Sequence, residues 1–340
     1  MKKKYQLKEK ALAYSKDTFR AGWLTMLKTL TFDFPLKVTP FDFIVKEEGE
    51  YPEGENYYLY KLVKRNLNTN DPLIVNFLKE LGVKDYGYAG LKDRLALTVQ
   101  NVSLDKFIGE KLVYHKIGKY FGLLFVKRIA FKIKTGFLKG NRFFINHQNR
   151  LFNTLSFSLN YYDSQRLGKN VSRGRRFLKG KPSKKWERIF WINSYQSFVW
   201  NLTAFEVVRR KLEEYNRKGG LKILEPCRVE DKRVFHIFPC SRDKRALEEF
   251  LESLKGIKIP LVGYKVKIPP WLEEIINPIL AKGGVDVEDF RRWRLKGDWR
   301  PLVVEVKGIR RYPKSLSFFL PKGAFATVYI KQLWLLEVYP

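Results

Sequence analysis

Across 340 residues the chain has only two cysteines, two methionines and three histidines. Cys227 and Cys240 are too few for a disulfide framework and lack the short paired spacing of a zinc site, so they read as reduced, partly buried thiols. His115, His147 and His236 are scattered, with no His-x-x-x-His pair, and no protein-held transition metal is expected. No Gly-x-x-x-x-Gly-Lys-Ser/Thr loop and no Gly-x-Gly-x-x-Gly stretch occurs, which removes the usual phosphate cradle of nucleoside-triphosphate and dinucleotide chemistry. Any catalysis then falls to side chains alone. The longest run without a charge, Ile189 to Phe205, contains Asn193, Ser194, Gln196, Ser197 and Asn201, so it cannot lie in hydrocarbon as about 20 apolar residues must. The first ten residues carry charge with no apolar segment behind them, so no secretory signal is read there and the chain is expected in the cytoplasm.

Acid is scarce as well: 35 Asp plus Glu stand against 66 Lys plus Arg, a formal net charge of +31. With 45% hydrophobic and 15% aromatic residues the chain can still bury a sizeable core, which excludes a wholly disordered basic protein. The excess points to an acidic partner, with nucleic acid the commonest and a membrane surface second. It is not spread evenly. Ten basic residues and one acid lie between Ser164 and Arg188, and nine basic residues with two acids lie between Arg291 and Lys314. Ala204 to Gly256, with 13 basic and 10 acidic residues, is an ordinary mixed surface. Two basic zones bracketing a more neutral stretch suggest an inserted module whose connections lie close together.

Local patterns predict a mixed α/β chain. Asp71 and Pro72 followed by Ile74, Phe77, Leu78, Leu81 and then Gly82 read as N-cap, first-turn proline, apolar stripe and C-terminal glycine of a helix. Phe125 to Lys134 alternates, with Ile129, Phe131 and Ile133 on one face, and predicts a half-exposed strand. Tyr195, Phe198, Val199, Leu202 and Phe205 fall at helical spacing, and Leu302 to Val306 reads as a short strand.

The stretch from Tyr86 to Gln100 is the most informative. Gly87, Ala89 and Gly90 let the backbone turn closely, and Asp93 follows as a single carboxylate between Lys92 and Arg94. A positive setting keeps such an acid ionised, available as nucleophile or base. Side chains of sequence neighbours alternate in extended backbone, so a more distant cation is needed to hold it. Taken alone, Asp93 reads as a surface turn acid in an ion pair, Phe43 and Phe318 as core residues, and Lys37 as a surface lysine.

Six stretches in order change that weighting. Gly87-Tyr-Ala-Gly-Leu-Lys-Asp-Arg94 with Ala96, Thr98 and Gln100 resembles the signature of the TruD-type tRNA pseudouridine synthases. Lys37 to Glu47, followed by Asn68 and Thr69, is similar to that family's N-terminal segment, and Leu138 to Asn141 to its next motif. Asn160 to Gly168 resembles the family's Asn-Tyr-Phe-Gly-x-Gln-Arg-Phe-Gly, and Ser197 to Asn201 and Phe318 to Thr327 complete the set. The likeness runs from about residue 36 to 332 and thins only in the middle. Tyr162, Asp163 and Leu167 depart from the family's Phe, Gly and Phe. On its own Asp163 reads as a solvated loop acid pairing with Arg166.

The resemblance implies isomerisation of uridine to pseudouridine in tRNA, at position 13, without cofactor or metal. It makes Asp93 the nucleophile, Lys37 its ionic partner, and Phe43, Asn160, Tyr162 and Phe318 the residues around a flipped-out uridine. Arg94, Arg166, Arg173, Arg175, Arg176 and Arg300 are the candidates for RNA backbone contact. The fold it implies is α/β (α+β): a catalytic domain of residues 1–180 and 301–340 around a mixed, largely antiparallel sheet, plus an inserted α/β module at 181–300. A monomer acting on tRNA, with no protein partner and no membrane, is expected. A non-catalytic RNA-binding protein of the same fold and a metal-dependent nuclease are the alternatives.

Overall fold

The computed structural model describes residues 27–115, 118–148, 150–180, 185–219, 224–231 and 234–339. Lys181 and Lys184 of the first basic zone lie outside these residues, as do the side chains of Lys169, Lys185 and Arg188. The chain divides into two compact units: Phe34–Thr154 with Glu305–Gly323, and Met1–Asp33 with Leu155–Val304 and Ala324–Pro340.

The first, a sheet unit, contains strands β1 (Phe43–Glu48), β2 (Glu53–Arg65), β3 (Tyr86–Tyr88), β4 (Leu97–Leu104), β5 (Lys111–His115), β6 (Lys119–Ile129), β7 (Gly140–Asn146), β8 (Lys307–Arg311) and β9 (Ser315–Pro321). They form one sheet in the order β8-β9-β7-β1-β4-β2-β6-β5, with β3 also on β4. All of these pairings are antiparallel except that of β1 with β4, where Ile44 lies beside Leu97 and Lys46 beside Val99 in parallel. Period-two alternation aims Phe43, Val45 and Glu47 of β1, and Tyr60, Leu62 and Lys64 of β2, into the interior. Helix α1 (Pro72–Glu80) starts as its sequence predicts: the Asp71 carboxylate accepts from the Leu73 amide at 3.2 Å, with Pro72 in the first turn. It buries Ile74 and Leu78 against Tyr60, Val102, Phe121 and Leu123.

The predicted strand at 125–134 is only half right. β6 runs from Lys119 and ends at Ile129, after which Ala130 bonds the Pro52 carbonyl and the Ile133 amide turns to the Ser103 hydroxyl. Ile133 is buried but Phe131 is exposed.

The second unit is rich in helix: α2 (Lys169–Leu178), α3 (Lys185–Gly219), α4 (Lys244–Ser253), α5 (Pro270–Gly283), α6 (Val287–Arg292) and α7 (Ala326–Val338). Short sheets join Thr29–Thr31, Glu225–Glu230 and Phe235–Cys240; Lys258–Leu261 and Asp298–Pro301; and Phe157–Leu159 and Val303–Glu305. Helix α3, 35 residues long, buries Tyr195, Val199, Leu202 and Phe205, and its Trp200 indole donates to the Ile259 carbonyl at 3.0 Å. Cys227 and Cys240 sit diagonally across one antiparallel hairpin, Cα atoms 5.9 Å apart, and are joined in a disulfide, contrary to the reading as free thiols. Spacing along the chain did not reveal that strand pairing would bring them together.

The fold is thus mixed α/β with largely antiparallel sheets, as expected. The compact units cut the chain elsewhere than at 180 and 300. Residues 155–180 fall with the middle of the chain because α2 lies against α3 so closely that a Cβ on Gly174 would come 2.0 Å from the Trp191 carbonyl oxygen. Helix α7 falls there too. Its Tyr329 hydroxyl donates to the Leu155 carbonyl at 2.8 Å, and the Gln332 amide bonds both Phe157 and Leu159 at 3.1 Å. The second basic zone is consequently divided, with residues 291–300 in one unit and 307–314 in the other.

Candidate active site

In the sheet unit the stretch between β3 and β4 carries Asp93 on a loop that leaves the sheet and returns. Gly87 is required where β3 is laid on β4, since a Cβ there would meet the Ser103 hydroxyl at 2.4 Å and the Ile133 carbonyl at 2.6 Å. The loop backbone is fixed residue by residue. Gln100 donates to the Gly90 carbonyl at 2.5 Å, and its own carbonyl accepts from the Thr69 hydroxyl at 2.9 Å. That hydroxyl accepts from the Lys92 amide at 3.0 Å. Lys64 reaches up from β2 to the Asp93 carbonyl at 3.1 Å. The Lys92 ammonium turns inward to the buried Glu47 carboxylate at 2.6 Å and the Asn141 side chain at 2.8 Å.

Asp93 itself is ion-paired with Lys37, 56 positions earlier, each side chain about one-fifth exposed. Lys37 adopts φ 63°, a left-handed conformation that costs a non-glycine residue about 1–2 kcal/mol. The turn that follows holds it there. The Asp42 carboxylate accepts from the Thr39 amide at 2.6 Å and hydroxyl at 2.9 Å, and from Asn146 at 2.9 Å. Burial alone would raise the Asp42 carboxyl; these donors outweigh it and hold it below the usual range.

The Lys37 ammonium also lies 4.0 Å from the centroid of the Phe43 ring. Phe43 opens β1, Phe143 lies on β7 and Phe318 on β9, so adjacent strands set the three rings in a row. Phe43 meets Phe143 edge-on at 5.8 Å, and Phe143 stacks on Phe318 at 5.5 Å. All three rings are buried, and Phe318 is fully covered. The arrangement places a partly exposed carboxylate beside an ammonium that also covers the first ring of a buried aromatic row. Among the described residues no three His, Cys, Asp or Glu side chains gather in a way that could hold a metal ion.

Asn160, Tyr162 and Arg300 lie in the other unit and meet one another. The Arg300 guanidinium donates to the Asn160 carbonyl at 2.7 Å and side-chain oxygen at 2.5 Å, and covers the Tyr162 ring at 4.1 Å. The Asn160 amide in turn donates to the Pro301 carbonyl at 3.0 Å. Arg300, expected on an RNA-facing surface, is therefore internal, and burial lowers its pKa. Arg94, Arg173 and Arg176 are exposed, while Arg166 and Arg175 are half-buried. Asp163 is not a solvated acid paired with Arg166: it is buried against the Lys331 ammonium at 2.7 Å, which also binds Asp231 at 2.5 Å.

Sequence reasoning passed over Lys64, Glu47 and Phe143. Glu47 and Lys64 each end a buried period-two stripe, and a charge in an apolar register was the available signal. Phe143 had none beyond its place in β7.

The family model described as tRNA pseudouridine synthase D (TruD) matches residues 25–187 and 183–333. Proteins named tRNA pseudouridine synthase D are similar along nearly their whole length. That of Nitratiruptor sp. is 34% identical, covering 88% of this chain and 94% of the relative. One from Thermus thermophilus is 30% identical, covering 91% and 92%. That of Wolinella succinogenes is 29% identical, covering 91% and 97%. A TruD crystal structure from Methanosarcina mazei superposes with a TM-score of 0.52 at 20% identity, over 90% of this chain and 95% of that one, a likeness of fold. Together with the ordered motifs, the matches establish that this chain belongs to the TruD family.

Proposed function

We propose that the chain isomerises uridine to pseudouridine in tRNA, at position 13, with Asp93 as nucleophile. The observation that carries this reading is the Lys37 to Asp93 ion pair, formed across 56 residues and set on a loop of which three anchors, Thr69, Gln100 and Asn141, come from the family motifs. In the reaction the N1–C1′ bond breaks, the uracil turns, and a C5–C1′ bond forms while C5 gives up a proton and N1 gains one, so composition is unchanged. Asp93 attacks either C1′ of the sugar or C6 of the ring and is released at the end. Lys37 supplies the positive charge that faces the Asp93 carboxylate before attack.

A stacked uridine cannot reach a partly buried carboxylate, so the base is extruded at a cost of a few kcal/mol. Phe43, with its ring beside the Lys37 ammonium, supplies the aromatic contact that offsets part of this cost, and Phe318 backs it through Phe143. Arg94, Arg173 and Arg176 are exposed and suited to phosphate contact.

The test is an unmodified tRNA transcript incubated with the protein and mapped by a chemical reagent that marks pseudouridine. One new mark at position 13 is expected, and none when that uridine is replaced by cytidine. Tight binding with no mark would leave a non-catalytic RNA-binding protein. Lys37→Met should lower kcat by about 100-fold with tRNA affinity changed less than about threefold; equal losses would reduce Lys37 to a phosphate contact.

A further inference from the structure

Lys64 ends the inward stripe of β2 below Tyr60 and Leu62, and all three are fully buried. Its ammonium faces three backbone carbonyls: Leu67 at 2.9 Å, Asp93 at 3.1 Å and, longest, Lys92 at 3.5 Å. An ammonium has three N–H donors and no lone pair, so its valences match those acceptors. Two of the carbonyls belong to Asp93 and the residue before it. The third belongs to the turn leading to Thr69, whose hydroxyl holds the Lys92 amide from the other side. Lys64 thus ties both segments under the catalytic loop to the sheet, and a neutral apolar side chain of the same bulk would leave the three carbonyls without their donor.

We infer that Lys64 is a positioning residue for the isomerisation, fixing the backbone of Asp93 so that its carboxylate stays aligned with Lys37 and with the incoming base, while never touching substrate. The inference rests on Asp93 being the nucleophile.

The charged groups facing Lys64 are Asp93 and Asp71, which favour its ammonium, and Lys92, which opposes it. Its register partners, Thr98 on β4 and Phe121 on β6, carry no charge. Burial dominates and pulls the ammonium down to about 8. As pH rises through that value the group becomes an amine with two N–H bonds and a lone pair facing a carbonyl, and the loop loses its third tie. Stability moves the opposite way. The folded pKa lies below the ordinary 10.5, so between about 8 and 10.5 the unfolded chain binds the extra proton and folding becomes more favourable as pH rises. Loss of activity at alkaline pH is therefore predicted without unfolding.

The test is the single-turnover rate on unmodified tRNA from pH 6.5 to 9.5, with tRNA affinity and circular dichroism followed in parallel, for the native protein, Lys64→Arg, Lys64→Met and Asp93→Asn. The native rate should fall above about pH 8 with a one-proton slope at constant affinity. Lys64→Arg, which stays charged, should retain activity at neutral pH and lose that limb. Lys64→Met should lose about 100-fold in rate at pH 7 with affinity held within about twofold. A limb that persists unchanged in Lys64→Arg belongs to the uracil N3 or another group and overturns the inference, as does a Lys64→Met protein of native rate or one whose affinity falls with its rate. If both variants fail to fold, the absence of a native limb between pH 7.5 and 9 overturns it, and its presence without unfolding supports it. Full activity in Asp93→Asn would instead remove the underlying reading of the nucleophile.

Discussion

Lys331 carries two carboxylates inside the second unit, and removing it tests how buried charge is managed there. Burial raises the Asp163 carboxyl, but Lys331, His236 and hydrogen bonds from Lys331 and Thr327 outweigh it and hold it at about 2. Its folded value lies below the ordinary 3.8, so the stabilisation is complete above about 3.8 and lost as pH falls through about 2. His236 acts earlier. Burial, and then Lys331, pull its ring from 6.5 to about 4, so the unfolded state takes up a proton first and stability declines as pH falls from 6.5 through about 4. Lys331→Met should cost about 3–5 kcal/mol in urea unfolding at pH 7, with the gap narrowing as acid neutralises the stranded carboxylates. A loss under about 1 kcal/mol would mean that water reaches them. This site was not legible in the sequence: Asp163 and Lys331 are 168 positions apart, and a helix and a loop must be placed before either has a partner. Lys64 and Glu47 were closer to legible, since each continues an inward alternation and breaks only its polarity.

Elements with local signals followed the sequence. Helix α1 has its cap, proline and stripe within twelve residues, and the structure uses each of them. The strand at 125–134 misled because alternation continues past Ile129 while the hydrogen-bond ladder does not, and alternation alone cannot count partners. At the Asp93 loop the motif residues Thr69, Gln100 and Asn141 were visible as a pattern, but their purpose was not: each satisfies a group of residues 90–92 from a different element. The meeting of α2 and α3 depends on one missing atom. Gly174→Ala should destabilise by about 1–3 kcal/mol in thermal or urea unfolding, because backbone must move to admit its Cβ. An unchanged midpoint would show that the two helices separate at little cost.

For the whole molecule, the charge of +31 first indicated only an acidic partner. The structure sorts its carriers: Arg94, Arg173 and Arg176 are exposed, whereas Arg300 is spent inside on Asn160 and Tyr162. Burial of an arginine depends on tertiary packing, so the basic zones could be counted in the sequence but not divided into surface and interior. Exposed arginines that meet phosphate release counterions, so tRNA affinity should fall steeply and linearly on a log–log scale with salt. Arg173→Gln with Arg176→Gln should flatten that slope by about two, whereas an unaltered slope would place phosphate contact elsewhere. The charge gathers the substrate in this account, and one carboxylate transforms it. The most direct measurement is pseudouridine formed in bulk tRNA by Asp93→Asn, a change of a few atoms at a partly exposed loop position. An intact fold, tRNA binding within about threefold of native and no detectable pseudouridine are expected; activity near the native level would show that Asp93 is not the nucleophile.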